Sequence, residues 1–194
     1  MDQTIVTRIF FSLAVFSLLC VAAALLLGMY VGDLHSVMDA GVSDSDRQTI
    51  IDRAVAHRLA GLAAALVVVL VNSIAVTYFI GTGRWCKEVI ERYSLDPELL
   101  THSKAIKRRA FPWAVSSMLF MVGVVALGAA ADPGTGLPNT AEWVLPHFPG
   151  SLAILGLLGV AYIVLAANIR AHYDVINQIV TEVRRIRRER GLDV

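Results

Sequence analysis

Four long stretches of this sequence carry no charged side chain, and no other feature limits the fold as strongly. The first, residues 9–31, contains no acidic residue, no basic residue and no histidine. A helix rises 1.5 Å per residue, so a stretch of this length covers the ~30 Å hydrocarbon core of a bilayer. Similar uncharged bodies occupy residues 59–80, 111–131 and 151–169. The sequence therefore predicts an all-α, polytopic membrane protein, an antiparallel bundle of four transmembrane helices.

The composition agrees with this class. Hydrophobic residues make up 56% of the chain and charged residues 17%, with a mean hydropathy of +0.64, which lies outside the range of soluble domains. The net charge of +1 gives no general attraction to nucleic acid, so we expect no nucleic-acid partner. Two cysteines, Cys20 and Cys86, are too few for a disulfide framework. We treat residues 1–194 as a single membrane domain.

The first stretch shares some features with a signal peptide, because a single basic residue, Arg8, precedes an apolar run that contains small residues. The hydrophobic region of a signal peptide is about 7–15 residues long. Residues 9–31 exceed that length, and Tyr30 and Asp33 suit a membrane exit better than a cleavage site. We therefore interpret this stretch as a membrane anchor.

Basic residues are concentrated on alternate connections between the stretches. Residues 84–109 and the tail, residues 170–194, carry most of them, whereas residues 132–150 carry none. Residues 32–58 carry three arginines against five aspartates, namely Asp33, Asp39, Asp44, Asp46 and Asp52. Because positive charge in short loops stays on the cytoplasmic side, we expect both termini to be cytoplasmic. The expected location is the bacterial inner (cytoplasmic) membrane.

The polar segments contain signals for further helices. Ser45 with Gln48 resembles a capping box, which predicts a helix start before the second span. Asp96 followed by Pro97 is a strong N-cap signal, so residues 84–109 are predicted to form a cytoplasmic helical hairpin. Pro112 is expected in the first turn of the third span, where its missing N–H costs least.

The tail is predicted to be a basic helix that docks onto a partner or onto lipid. Its apolar positions recur at 3-4-3 spacing, at Ile176, Ile179, Val183 and Ile186. Four of its arginines are candidates for contacts with lipid phosphates or with acidic groups of a partner: Arg184, Arg185, Arg187 and Arg188. We expect the apolar stripe to pack on the hairpin.

The uncharged stretches contain few groups that could carry chemistry. None of them holds the carboxylate, Lys, Arg or His that an ion-coupled transporter needs at mid-membrane. The deepest strongly polar residue is Asn72, followed on the same helix by Ser73 and Thr77. We interpret Asn72 as an interhelical hydrogen-bonding residue, with a substrate contact as the alternative.

Histidines at similar depth are candidate cofactor ligands. Haem in a four-helix membrane anchor needs two imidazoles from different helices at the same level. On the outer side the candidate pair is His57 and His147, and on the inner side it is His102 and His172. His57 with Arg58 is alternatively a site for a quinone at the outer interface. The simpler interpretation of each pair is unligated interfacial histidines.

No motif for catalysis, phosphate binding, dinucleotide binding or metal binding occurs in the sequence. We therefore expect no catalytic residue and no metal site. The favoured hypothesis is a non-catalytic accessory or scaffold subunit that binds other membrane subunits or a second copy of itself, in an assembly of energy-transducing type. The alternative is an anchor that binds haem or a quinone through His57, Arg58 and His147. A further alternative is a protein that handles small solutes or lipids.

Overall fold

Long α-helices account for nearly all of the protein. The computed structural model describes residues 3–37 and 41–192, so Asp39 and both chain ends lie outside the described residues. The helices are α1 (Gln3–Met29), α2 (Asp44–Tyr93), α3 (Pro97–Ala131) and α4 (Val144–Glu189), and two short 3-10 turns, Pro133–Thr135 and Thr140–Trp143, precede α4. Each of the four helices is long and apolar enough to cross a membrane. The prediction of an all-α protein with four spans is confirmed.

The helices are longer than the predicted spans. The 50-residue α2 continues through Gly81 and Gly83 without a break, so the first half of the predicted hairpin is an extension of the second span. The tail likewise continues α4, which has 46 residues. At the other end of the first span, α1 stops at Met29 and not at Val31, where Gly32 turns the chain with a φ of 86°.

The observed N-termini of α2 and α3 contradict one prediction and confirm another. Ser43, not Ser45, caps α2, because its hydroxyl oxygen accepts a hydrogen bond from the backbone N–H of Asp46 (3.2 Å). The Ser43 hydroxyl also donates to the Asp46 carboxylate (2.7 Å), so the side chains of the cap and of the first helical turn are bonded to each other. At α3, the Asp96 carboxylate accepts from the backbone N–H of Glu98 (2.8 Å), and Pro97 is the first helical residue, as predicted.

Pro112 lies inside a helix, so its predicted place in a first turn is wrong. The Asp96 cap starts α3 at Pro97, and the helix then runs into the third span without a new start. The proline removes one backbone hydrogen bond to the preceding turn. The apolar face of α3, which includes buried Ala110 and Ala114 on either side of the proline, offsets that loss.

The chain forms two compact units, and each contains part of all four long helices. We call them the His57 unit, residues Leu13–Val71 and Ser116–Val160, and the His172 unit, residues Met1–Ser12, Asn72–Val115 and Ala161–Val194. Each unit is a cluster of four helix segments with its own buried core.

Burial along the helices shows an internal repeat. Six buried positions of α2 are each matched by a buried position of α4 that lies 90 residues later: Ala64, Val68, Val71, Asn72, Ala75 and Phe79 match Ile154, Leu158, Ala161, Tyr162, Leu165 and Ile169. Five buried positions of α1 are matched on α3 with a separation of 100 residues: Phe10, Ala14, Ser17, Val21 and Ala24 match Ala110, Ala114, Ser117, Met121 and Val124. The hairpins α1–α2 and α3–α4 are therefore two copies of one packing pattern.

Repeat-equivalent residues of α2 and α4 meet one another. In the His57 unit the rings of His57 and His147 are neighbours. In the His172 unit Asn72 contacts Tyr162, and Thr82 contacts His172. In a two-fold interface, contacts between equivalent residues mark the symmetry axis. In each unit, α2 and α4 therefore pack as the two halves of a pseudo-dimer do.

We expect the turn between α2 and α3 to be cytoplasmic, and cysteine labelling tests this. Ser94 has a left-handed φ of 53°, so exposed Glu98 in the first turn of α3 is a better site for a cysteine. On a background lacking Cys20 and Cys86, Glu98→Cys should react with an impermeant maleimide only after the membrane is opened. Ser45→Cys is the matched control and should react in intact cells. The reverse pattern would overturn the predicted orientation.

Candidate functional site

The outer candidate pair of histidines is brought together within the His57 unit. The ring centroids of His57 on α2 and His147 on α4 are 6.1 Å apart, and the ring planes are inclined by 67°. Sequence position alone placed these two residues at a similar depth, and the structure adds that their rings are neighbours in an edge-to-face arrangement. They are the first candidate site.

Two glycines make room for the histidine rings. A Cβ atom added to Gly28 of α1 would lie 2.8 Å from Cε1 of His57, and one added to Gly128 of α3 would lie 2.9 Å from Cε1 of His147. Both distances are below normal van der Waals contact, so the rings pack directly on the helix backbone. Gly28 and Gly128 are themselves repeat-equivalent, so each hairpin holds its histidine in the same way.

The nitrogen atoms of the two rings are directed at the neighbouring backbone. In each ring, Cε1 is the atom nearest to the glycine, and the two nitrogens flank it. Nδ1 of His57 donates to the carbonyl oxygen of Ala24 (3.0 Å), four residues before Gly28. His147 faces the backbone of Val124, the equivalent residue, although its buried Nδ1 makes no hydrogen bond of normal geometry. In this geometry the His57 side chain connects α2 to α1 through the Ala24 carbonyl.

Arg58 is also engaged within the His57 unit. Its guanidinium forms an ion pair with Asp132 at 3.0 Å, and its Nε donates to the carbonyl oxygen of Ala54 (3.3 Å). Asp132 in turn caps the 3-10 turn by accepting from the backbone N–H of Gly134 (2.8 Å). Since the Arg58 side chain is 46% exposed, this pair contributes little stability. The Arg58 guanidinium nevertheless has an anionic partner within the protein, the Asp132 carboxylate.

Hydrogen bonds hold the segment that follows α1, both within the segment and to the turn before α4. Nε2 of His35 lies 3.2 Å from the hydroxyl of Thr140, which ties this segment to the turn before α4. The backbone N–H of Ser36, followed by the Ser36 hydroxyl and the N–H of His35, holds the pKa of Asp33 below its ordinary value. Asp33 therefore acts as the anionic acceptor of a local turn.

A second cluster of polar side chains is buried in the His172 unit. His172 on α4 is 0% exposed and Ser103 on α3 is 2% exposed. Nε2 of His172 lies 2.9 Å from the Ser103 hydroxyl, and Nδ1 lies 3.4 Å from the hydroxyl of Thr82 on α2. The buried thiol of Cys86 lies next to Ser103. Three helices thus contribute to one hydrogen-bonded chain.

The last acceptor in this chain of hydrogen bonds is a backbone carbonyl oxygen, and it determines which group is the donor in each bond. The Thr82 hydroxyl donates to the carbonyl oxygen of Tyr78, so its oxygen can only accept from His172. Nδ1 of His172 must then carry the proton, and its Nε2 is the acceptor for the Ser103 hydroxyl. Ser103 is left free to accept from the Cys86 thiol. Thr82, His172 and Ser103 thus each donate one hydrogen bond, as expected of a structural network.

Ser103 and His172 have the spacing of a nucleophile and its base, but their environment is that of a core. Phe79 and Tyr78 pack against the imidazole with ring centroids 5.7 and 5.9 Å away. A substrate would have to displace these rings to reach the serine. We assign the cluster the role of joining α2, α3 and α4. The predicted inner pair of His102 and His172 is not formed, because His102 is exposed and His172 is held by Ser103.

The three polar residues predicted inside the second span have different environments. Asn72 is 0% exposed, and its side-chain nitrogen lies 3.5 Å from the hydroxyl of Tyr162. Ser73 is half-buried, and Thr77 is exposed on the outside of the helix segment. Asn72 therefore has the position of an interhelical polar contact, as predicted for it.

Asn72→Leu should lower the free energy of unfolding by about 1–2 kcal/mol, the upper range measured for interhelical hydrogen bonds in membranes. The measurement is a denaturation titration in detergent micelles. Thr77→Leu is the control, since this side chain is exposed, and it should leave stability unchanged. A larger loss in the control than in Asn72→Leu would contradict the assignment.

The apolar positions predicted for the tail are divided between core and surface. Ile179 is fully buried, and Ile176, Val183 and Ile186 are half-buried. Arg185 is held by two carboxylates, Glu182 at 2.9 Å and Glu189 at 2.8 Å. Arg184 and Arg188 are exposed, and Arg187 is half-buried. Part of the proposed docking surface therefore belongs to the core of the His172 unit.

Neither cluster has the composition of a metal centre. Within residues 3–37 and 41–192, no three His, Cys, Asp or Glu side chains converge.

Comparisons with protein-family models, with curated proteins and with solved structures found no significant match. The candidate site must therefore be judged on its geometry.

Sequence reasoning missed the Cys86, Ser103 and His172 cluster and the role of the two glycines. The available signal was the repeat: Arg8, Phe11, Ser17 and Gly28 each recur as the same residue 100 positions later. That alignment pairs Gly28 with Gly128 and, with a separation of 90, His57 with His147. No comparable signal exists for Ser103, because serine is common on helices and its contacts depend on helix rotation.

Proposed function

We propose that this chain is a non-catalytic accessory or scaffold subunit of a larger membrane assembly. The observation that carries the proposal is a folded helical layer beyond the uncharged stretches, formed by the ends of α2 and α4 and the start of α3. The core of this layer includes Cys86, Ile90, Ile106, Val175 and Ile179, each at most 4% exposed. A chain that only had to cross the bilayer would not need such a core.

Helix length supports the same proposal. The 50 residues of α2 extend about 75 Å at 1.5 Å per residue, more than twice the ~30 Å of hydrocarbon. The excess length is polar on its outside and packed on its inside. Between α3 and α4 the layer has an open groove of about 460 Å³ lined by Asp96, Leu99, Asn177, Gln178, Thr181 and Glu182. A rigid, grooved platform suits the docking of another subunit.

The side chains with the most chemistry support a structural role. His57 bonds to Ala24, Arg58 to Asp132 and His172 to Ser103. Each of these contacts joins a long helix to another segment of the same unit. We propose that the layer lies on the cytoplasmic side of a bacterial inner membrane, and the distribution of basic residues supports the cytoplasmic side.

Photo-crosslinking in the native membrane tests this proposal. A benzoylphenylalanine at Gln178, an exposed residue of the groove, should give one discrete crosslinked protein product. The matched control is Ile163 on the same helix, which is 72% exposed within an apolar stretch and should crosslink mainly to lipid. If position 178 also yields only lipid or unreacted chain, the layer does not hold a partner.

One observation favours a second candidate, a haem- or quinone-binding anchor. The His57 and His147 centroids are separated by 6.1 Å, close to the distance across an iron bound between two imidazoles, about 6 Å from metal–nitrogen bonds near 2 Å. The rings would have to turn away from Gly28 and Gly128 to bind. An absorption spectrum of the purified protein separates the candidates, since a Soret band that His57→Ala abolishes would support the second.

A further inference from the structure

One helix face near the start of the third span concentrates unpaired positive charge. Lys104, Lys107 and Arg108 lie on a single stripe of α3, because residues three and four apart share a helix face. We call these three residues the α3 basic stripe. Arg109 points about 100° away from Arg108 and is outside it.

The α3 basic stripe has no internal counter-charge. Ion pairs in the same unit join Arg84 to Glu88, Lys87 to Glu91 and Arg185 to Glu182 and Glu189. In the described part of the chain, no ion pair includes a member of the stripe. The sequence from Leu99 to Ala131 contains no acidic residue that could supply one. Lys104 and Arg108, four residues apart, therefore repel each other until an anion arrives from outside.

The surroundings of the stripe are those of a membrane interface. The ammonium of Lys107 lies 5.6 Å from the ring centroid of Phe111, a cation–π distance. Phe111 and Trp113 open the uncharged stretch, in the manner of an aromatic belt. Exposed Val115 continues the same face of α3 towards the apolar side. A ligand on this face meets cations first and hydrocarbon next.

The repeat provides an internal reference. The positions 100 residues earlier on α1 are Thr4, Thr7, Arg8 and Phe11, so only the arginine and the phenylalanine are shared. The extra two lysines belong to one hairpin alone. They are therefore not part of the shared packing pattern of the two hairpins.

We propose that the α3 basic stripe binds the phosphate of an anionic phospholipid, whose acyl chain lies along Phe111 and Val115. Three cations without carboxylate partners attract the negative charge of a phosphodiester head group and can donate hydrogen bonds to its oxygens, and the adjoining apolar face suits the acyl chain. Clusters of basic residues next to a span attract anionic lipid in this way. This site is independent of the proposed scaffold function, which concerns the groove between α3 and α4.

Lipid retention in native mass spectrometry tests the proposal. The full-length chain, purified in detergent, is mixed with phosphatidylglycerol or with phosphatidylcholine, and bound lipid is counted. The triple variant Lys104→Gln, Lys107→Gln and Arg108→Gln should bind phosphatidylglycerol on the order of 100-fold more weakly, with phosphatidylcholine unaffected. The control variant Arg84→Gln, Lys87→Gln and Arg92→Gln removes the same charge from α2 and should keep wild-type affinity.

A second variant protects the test against misfolding of the first. Thr101→Glu places a carboxylate three residues before Lys104 on an exposed position, so it supplies the missing anion internally. It should weaken phosphatidylglycerol binding several-fold while circular dichroism stays unchanged. Equal losses in the α2 control would show that only net charge matters and would overturn the site. Competition by glycerol phosphate as strong as by the lipid would also overturn it, since the site would then read free phosphate.

Discussion

Gly28→Ala is expected to destabilise the protein, although alanine normally stabilises a helix. The new Cβ would lie 2.8 Å from Cε1 of His57, whose ring is held by the Ala24 carbonyl on one side and His147 on the other. Relief of such overpacking typically costs about 1–3 kcal/mol. The free energy of unfolding in detergent micelles should fall by that amount, and Gly128→Ala should behave alike because His147 is equally close.

Gly61→Ala is the matched control for this prediction. Gly61 lies on α2, and no atom lies within 4 Å of the position of an added Cβ. Alanine there gains helix propensity, so stability should rise by up to about 1 kcal/mol. The double variant Gly28→Ala with His57→Ala should cost less than the sum of its parts, because the obstructing ring is gone. If Gly28→Ala and Gly61→Ala stabilise equally, the glycine and histidine contact is not tight.

His172→Leu should cost about 2–4 kcal/mol of folding free energy. The substitution removes the contacts with Ser103 and Thr82, so the buried Ser103 hydroxyl loses its acceptor, while the Thr82 hydroxyl keeps its bond to the Tyr78 carbonyl. Buried polar groups that lose a hydrogen bond carry about 1–3 kcal/mol each. Guanidinium or SDS titration of the purified protein measures the loss.

His102→Leu is the control, because His102 is the neighbour of Ser103 but is exposed. It should change stability by less than about 0.5 kcal/mol. Ser103→Ala should fall between the two, since it removes one hydrogen bond and leaves Nε2 of His172 without a donor. A His172→Leu protein as stable as wild type would show that the polar chain does not join the helices.

The spans were predictable because hydropathy integrates over some twenty residues and is insensitive to detail. Local signals were less dependable. Asp96 with Pro97 was interpreted correctly as a helix start, whereas Ser45 was predicted as the cap of α2 and Ser43 is the observed one. Both serines are followed three residues later by an acidic or amide side chain, so the sequence pattern does not show at which of the two the helical backbone begins. The predicted position of Pro112 in a first turn was wrong, since a helix that starts at Pro97 continues into the span without a second start.

The residues of a candidate site could be predicted from the sequence only where their similar depth in the membrane is enough to bring them together. His57 and His147 each lie near an end of a predicted span, at ends that we expect on the same side of the membrane, so their contact could be anticipated. His172 was assigned the wrong partner: His102 and Ser103 are adjacent in sequence but point to different sides of α3. Consecutive helix residues are rotated by about 100°, and this rotation decides whether His102 or Ser103 faces His172. Hydropathy in an amphipathic segment does not predict the helix rotation that closely.

Native mass spectrometry of the tagged chain, extracted gently from the membrane that normally contains it, tests the subunit proposal most directly. We predict a complex in which the 21.0 kDa chain is joined by at least one other membrane protein at fixed stoichiometry. Weakening of that complex by a bulky Gln178→Trp substitution, but not by Ile163→Trp, would locate the contact on the helical layer. A chain that always emerges alone or with copies of itself would contradict the account.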